Sequence, residues 1–537
     1  MKKALHVLVV SIALIGLVVP VSYGSSTLDR TIKFCVFSDP HYYDPTLGTT
    51  GSAFQAYLAQ ESKMFTESDA ILSAAIKGVM QESPDFLLIP GDLTKDGEKV
   101  CHQKFAGYLK SLTDLGIKVY VVPGNHDVLN PHSYSYSGSS MTSVPNITPE
   151  DFSTLYAQFG YADAIARDPN SLSYIAEPVS GVWLFALDAC RYKENTQTTV
   201  QDGGQFSSNT LAWILNQLQN AKSKDKTVIG MMHHGVMEHY TGQKAFSPDY
   251  VVDNFQSVDS LFVRNGMNWV FTGHYHAQDV VMGKIDGNVL YDIETGSLVT
   301  FPSPYRTITL TPDLKMNIKS TTIQSIEYDT QGKTFQKYAE DFLTSGLNLQ
   351  LTYTLTAPPE QGGYGFSLVQ VAPVIPLLVD ASKAHYAGDE MPSIQTMATI
   401  SVFMKSSDAN TKLVGQILGA LWTDLPPADN NVTLESTIPT SVEEDLSVGP
   451  ISIVLGQNYP NPFNPSTNIH FTVKSAGAVK ISVYDIAGQK IATLVDGVKT
   501  PGNYIVKWNA KGVASGSYLC VMENGGKTLS RKMTFMK

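Results

Sequence analysis

Five short blocks of this chain carry Asp, Asn or His: Asp39-Pro40-His41, Gly91-Asp92, Gly124-Asn125-His126-Asp127, His233-His234, and Gly273-His274-Tyr275-His276. Asp39 and His41 stand two residues apart, as do His274 and His276. On extended backbone that spacing turns both side chains to one side, so each pair delivers two ligands to one ion. Imidazole and carboxylate with no thiolate motif suit borderline ions such as zinc, manganese or iron. Asp92 is the natural bridge between two such ions, held about 3.5 to 4 Å apart for in-line displacement at phosphorus.

Each block follows an apolar, β-branched run: 32–37, Phe86–Ile89, 117–122, Thr227–Met232 and 269–271. These runs read as buried strands, and Pro123-Gly124 shows how sharply they end. Gly, Asn and Asp also make ordinary turns, and one such loop would mean little. Five polar strand ends mean more, because α/β folds build their sites at the carboxyl ends of strands. Apolar residues at helical spacing in Ser68–Glu82 and 211–218 supply the flanking helices.

In this order the blocks resemble the signature of the calcineurin-like metallophosphoesterases: Asp-x-His, Gly-Asp, Gly-Asn-His-Asp, a lone His and Gly-His-x-His. The resemblance implies a four-layer α/β metallophosphoesterase β-sandwich flanked by helices, over residues 29–315. It implies that one ion is held by Asp39, His41, Asp92 and His276, and the other by Asp92, Asn125, His233 and His274. His126 then acts on the phosphate or leaving group with an acidic partner nearby, and Asp127 caps the loop. Gly235 stands where the family usually has Pro, which leaves His233 or His234 as the lone ligand, with His233 preferred. The cofactors implied are two divalent or trivalent ions of manganese, iron or zinc.

Weaker stretches resemble secreted bacterial cyclic nucleotide phosphodiesterases of this superfamily: residues 51–57, Gly91 to Glu98, 159–164 and 171–174. Purple acid phosphatases place Tyr three residues after the bridging Asp, where this chain has Lys95. Tyr42, Tyr43 and a Ser-, Tyr- and Pro-rich insertion at 131–149 offer rings to stack on a nucleobase, or plain surface loop. The implied reaction is attack of a metal-bridging hydroxide on a small phosphodiester, with a 3',5'-cyclic nucleotide as first choice. A broad phosphomonoesterase is the alternative within the enzyme class. A non-catalytic surface binding protein is disfavoured because no ligand position is lost.

Residues 1–24 open with Lys2 and Lys3 and continue through a Leu/Val/Ile run to small residues, which reads as a secretory signal peptide. The mature form is then expected to keep no transmembrane anchor. The 537 residues, 43% hydrophobic and 16% charged, suffice for several globular domains. The four cysteines are expected as free or buried thiols. Without Lys2 and Lys3 the formal charge moves from −11 to −13, which argues against a nucleic acid polymer as partner.

Residues 320–429 read as a helical C-terminal appendage, and 430–449, polar and acidic, as a linker. Residues 450–537 read as a small all-β sandwich with strands near 468–473, 479–484, 504–508 and 516–522. From residue 448 onward ten Lys/Arg face three Asp/Glu, a net +7 that leaves −20 for the rest of the mature chain. The run Asn458-Tyr459-Pro460-Asn461-Pro462-Phe463-Asn464-Pro465, with 483–488, 514–518 and the end of the chain, resembles the type A sorting domain of the type IX secretion system. That implies export through the type IX machinery, then attachment at the outer-membrane surface or extracellular release.

Overall fold

The computed structural model describes residues 28–436, apart from 286 and 362, and, with interruptions, residues 454–535. The signal peptide read at 1–24 lies outside the described residues, as do 437–449 of the expected linker and 459–462 of the proline-rich run. Two compact units divide near residue 438.

The first unit is built on two sheets. β1 (Ile32–Val36), β2 (Phe86–Ile89) and β3 (Lys118–Val121) run parallel, with Phe34 opposite Phe86 and Ile89 opposite Val121. Their side chains are almost all buried, as parallel strands covered on both faces require. A hairpin, β4 (Tyr134–Ser137) with β5 (Ser140–Ser143), leaves this frame. The second sheet adds β6 (Ala166–Arg167), β7 (Tyr174–Ala176), β8 (Val182–Leu187), β9 (Thr227–Met232), β10 (Trp269–Thr272), β11 (Asp279–Ile285) and β12 (Asn288–Glu294). Its order is β11-β12-β10-β9-β8-β7-β6, with β8, β9, β10 and β12 mutually parallel. The chain then returns to the first sheet, where β13 (Pro304–Leu310) pairs antiparallel with β1 and β14 (Lys315–Thr322) with β13.

Between the sheets the inward side chains form one core. Phe34 stacks on Phe86 at 4.7 Å and meets Phe271 of the other sheet edge-on at 5.4 Å. Helices cover the outer faces. Ser68–Glu82 buries Ile71, Leu72, Ala75, Ile76 and Val79 at helical spacing, and Ser208–Ser223 buries Ile214 and Leu218 on the other side. The result is the expected four-layer α/β sandwich, with the carboxyl ends of five parallel strands at one edge.

The region read as an appendage is helical, with Phe335–Thr356, Ile375–Ala387, Ile394–Met404 and Ala409–Leu421 gathered around Leu343, Leu378 and Leu418. It does not end in a linker at residue 430. Asn431–Glu435 forms β15, which pairs antiparallel with β14 from Lys319↔Asn431 to Lys315↔Glu435. Leu434 buries its side chain while its neighbours face water, so the edge strand looks polar in sequence. The helices are therefore inserted between two neighbouring strands.

In the second unit, Ser466–Val473 pairs with Gly502–Asn509, and Gly477–Asp485 lies between Lys490–Lys499 and Gly516–Asn524. Lys527–Phe535 completes the second sheet. Ile481, Val483, Trp508, Cys520, Met522 and Met533 make the core. The strands at 490–499 and 527–535 were not expected. Cys35, Cys101, Cys190 and Cys520 are all free thiols.

Candidate metal centre

The five polar blocks meet where the strand ends of the two sheets converge. Close backbone approach makes this possible. A Cβ on Gly124 would lie 2.0 Å from Asp92 Oδ1, and one on Gly273 would lie 2.1 Å from Ser38 Oγ. Asp39 and His41 do converge on one donor group, whereas His274 and His276 are divided between two, and in neither pair does the pleat of a strand set the arrangement. Asp39, His41, Asp92, His274 and His276 all have left-handed backbone, with φ of 48°, 38°, 47°, 76° and 69°. Non-glycine residues pay for that conformation, and such strain gathers at functional sites.

Ligand atoms of Asp39, His41, Asp92 and His276 lie within 4.8 Å of one another, and so do those of Asp92, His233 and His274. Asp92 is common to both groups. His41 Nε2 stands 3.2 Å from His276 Nε2 and 3.5 Å from Asp92 Oδ2. Asn125 Oδ1 stands 3.0 Å from His233 Nε2, and its Nδ2 donates to Asp202 Oδ1 at 3.2 Å, which settles the amide orientation. His274 Nε2 is buried with no hydrogen-bond partner. This donor set of carboxylate, amide and imidazole fits two borderline divalent ions, and the orphaned nitrogen is the atom a cation would satisfy.

The supporting contacts set the tautomers. His233 Nδ1 donates to the Pro90 carbonyl at 2.8 Å, which turns Nε2 into the cluster. Burial disfavours its imidazolium, but Asp92, 3.3 Å away, outweighs burial and lifts the pKa to about 9. Burial holds His41 and His274 well below the ordinary histidine value, so both are neutral and offer lone pairs. His234 instead donates Nε2–H to the Asp202 carbonyl at 2.8 Å, which places His233 in the cluster and His234 beside it. Asp127 accepts from the backbone of Leu93, Thr94 and Gly124 at 2.8 to 3.0 Å, tying the second block to the third.

The calcineurin-like phosphoesterase family matches residues 32–278, the span that carries all five blocks. This chain carries a calcineurin-like phosphoesterase domain. The secretion system C-terminal sorting domain matches residues 457–536, within the second unit. Among solved structures, a dimetal phosphatase from Danio rerio is similar at 17% identity, covering 56% of this chain and 98% of that one, with a TM-score of 0.38. An endo-β-1,4-mannanase from Thermotoga petrophila follows at 10% identity, 90% and 70% coverage and a TM-score of 0.24. No curated protein matches the chain. Among the described residues, no helix is long and apolar enough to cross a membrane.

In this metal-dependent phosphoesterase domain, His126 sits at the rim of the cluster. Its backbone N–H donates to Asp92 Oδ1 at 3.0 Å, its Nε2 lies 4.0 Å from Asp92 Oδ2, and its Nδ1 bonds Asp96 Oδ1 at 2.9 Å. Burial opposes its charge, yet Asp92 and Asp96 together lift its pKa to about 9. Asp96 is the acidic partner expected near His126. It lies within the Gly91–Glu98 block, but only the curvature of that loop singles it out.

A cavity of about 730 Å³ opens above the cluster, bordered by Tyr57, Tyr134, Tyr136, Tyr250 and Tyr386. Tyr134 and Tyr136 come from the β4–β5 hairpin of the 131–149 insertion. Tyr42 and Tyr43 are neither stacking rings nor loop surface. Both are buried, with hydroxyls bonded to Asp69 and to the Gly48 carbonyl.

Proposed function

We propose that this chain is an exported dinuclear-metal phosphodiesterase acting on a nucleotide-sized diester, with 3',5'-cyclic nucleotides as the leading class. The observation that carries this reading is the pairing of two donor groups sharing Asp92 with the character of the cavity above them. A space of about 730 Å³ is ample for a nucleotide-sized ligand. Beyond the cluster and the His126–Asp96 pair, its charged side chains are Glu61, Asp202 and Asp249 against Lys63. An acidic rim repels the dianion of a phosphomonoester more than the monoanion of a diester. The tyrosines offer faces on which a base can stack.

Asp39, His41, Asp92 and His276 would hold one ion, and Asp92, Asn125, His233 and His274 the other. When bound, the two ions supply positive charge to the phosphoryl oxygens and activate water for in-line attack. His126 presents Nε2–H toward the departing ester oxygen while Asp96 holds Nδ1, so proton transfer needs no reorientation of the ring. Manganese, iron and zinc all suit the donors. The sorting domain supports a place outside the cell, at the outer-membrane surface or released, reached through a signal peptide at 1–24 and the type IX machinery.

Hydrolysis by the mature protein loaded with manganese, offered bis(p-nitrophenyl) phosphate, a cyclic nucleotide and p-nitrophenyl phosphate, tests this. Metal-dependent opening of the cyclic nucleotide, lost in Asn125→Ala, is expected. Preference for the monoester would overturn the diester reading.

A further inference from the structure

Lys95, three residues after Asp92, has no solvent-exposed surface. Its Nζ pairs with the Asp96 carboxylate, lies 3.2 Å from Glu98 Oε1, and sits 4.5 Å above the Tyr57 ring, with Tyr43, Tyr136 and Phe65 completing an aromatic cage. A lysine is buried this way only when its charge is paired and cradled. Asp96 is held at both oxygens: Oδ2 takes Lys95 and, at 3.4 Å, the Tyr57 hydroxyl, while Oδ1 faces His126 Nδ1 at 2.9 Å. Glu98, Lys95, Asp96 and His126 thus form a row of alternating charge leading from the core to the cavity.

We infer that Lys95 is a positioning residue for leaving-group protonation: it clamps Asp96 so that Oδ1 takes His126 Nδ1–H and His126 Nε2 faces the ester oxygen. In the step it supports, a water oxygen bonds to phosphorus and gives up a proton to solvent while the bond from phosphorus to the leaving oxygen breaks, its electron pair staying on the leaving oxygen. The Nε2 proton passes to the oxygen, and neutral His126 regains a proton from water. Without Lys95, the buried Asp96 and Glu98 carboxylates would have no cation between them, and Asp96 would turn away from His126. This inference rests on the leaving-group role proposed for His126.

A cage that merely pinned the hairpin through Tyr136 would affect every substrate alike, so the test varies the leaving group. Rates of the manganese-loaded mature protein are measured on methyl aryl phosphates running from p-nitrophenyl to phenyl. p-Nitrophenolate departs without a proton and phenolate gains from one. Lys95→Met is expected to lower kcat on the phenyl ester by about 10-fold or more and on the p-nitrophenyl ester by less than about 2-fold, with KM unchanged. In an Asp96→Asn background the same change should add nothing. Lys95→Met with Glu98→Gln removes one charge of each sign, keeps the buried row neutral, and serves if the single variant does not fold. Equal losses across the series, or additive losses with Asp96→Asn, overturn the inference. His126→Ala is run beside them. If it also lowers all esters equally, the role of His126 fails and this inference falls with it. A leaving-group-dependent loss in His126→Ala beside a uniform one in Lys95→Met rejects Lys95 alone.

Discussion

Asn125 Oδ1 faces His233 Nε2 across 3.0 Å, while His233 Nδ1 already donates to the Pro90 carbonyl and Asn125 Nδ2 to Asp202. Two acceptors meet at that distance only with positive charge between them, a proton or a cation. Asn125→Ala removes one of them. We expect metal content to fall from two ions per chain toward one, measured by plasma mass spectrometry after dialysis, with affinity for the second ion at least about 10- to 100-fold weaker.

The neighbouring histidines should separate cleanly. His233→Ala strips a donor from the cluster and is expected to abolish turnover and release one ion. His234 only donates to the Asp202 carbonyl, so His234→Gln should keep both ions and lose less than about 10-fold in kcat/KM. Metal analysis beside kinetics reads the difference, and loss of an ion from His234→Gln alone would reverse the assignment.

His102 gives a pH dependence away from the metals. It is fully buried, donates Nε2–H to the Asp127 carbonyl at 2.9 Å and accepts from the Tyr156 hydroxyl at 2.8 Å, and burial lowers its pKa to about 3. The unfolded chain binds that proton near pH 6.5, before the folded one does. The stability His102 contributes as a neutral ring is complete above about pH 6.5 and is lost as pH falls toward 3, at about 1.4 kcal/mol per unit. Urea unfolding at pH 7 and pH 5 should show a smaller pH slope in His102→Gln than in the parent. Equal slopes would mean the ring titrates normally.

Charge at the cavity rim should steer substrate choice. Glu61 lies 3.8 Å from Lys63 on the wall, and Glu61→Lys converts that opposed pair into two cations. The ratio of monoester to diester turnover is expected to rise severalfold, consistent with about 1 kcal/mol for a partly screened interaction, and to shrink in high salt. An unchanged ratio would remove the electrostatic argument for a diester.

Much of this was legible in advance because the site is written at strand ends. Phe86–Ile89 and Thr227–Met232 are apolar runs that stop at Pro90-Gly91-Asp92 and His233, and a strand's length and end are local properties. What could not be read depends on contacts distant in sequence. Nothing local shows that Asp96 rather than Asp127 meets His126 Nδ1, since the choice is made by the bend of a loop crossing a second loop. Tyr42 and Tyr43 look like loop tyrosines because their covering residues, Asp69, Tyr108 and Phe54, arrive later in the chain. The strand at Asn431–Glu435 buries only Leu434 and that at Lys490–Lys499 fully buries none of its side chains, so the alternation that marks a half-buried strand is faint in both.

The helices between β14 and β15 leave and rejoin the sheet at one point: the Ser320 N–H donates to the Asn430 carbonyl at 2.8 Å. Two antiparallel neighbours that close together need only a short turn to be joined. The whole helical segment is therefore a cassette set into what would otherwise be a plain hairpin at the sheet's margin. Tyr386, at the end of one of its helices, and Gln350, on another, reach the cavity. A lineage could gain, lose or trade this cassette without rebuilding the strands that carry the chemistry, and with it would change what the cavity admits while the ligands at its floor stayed the same.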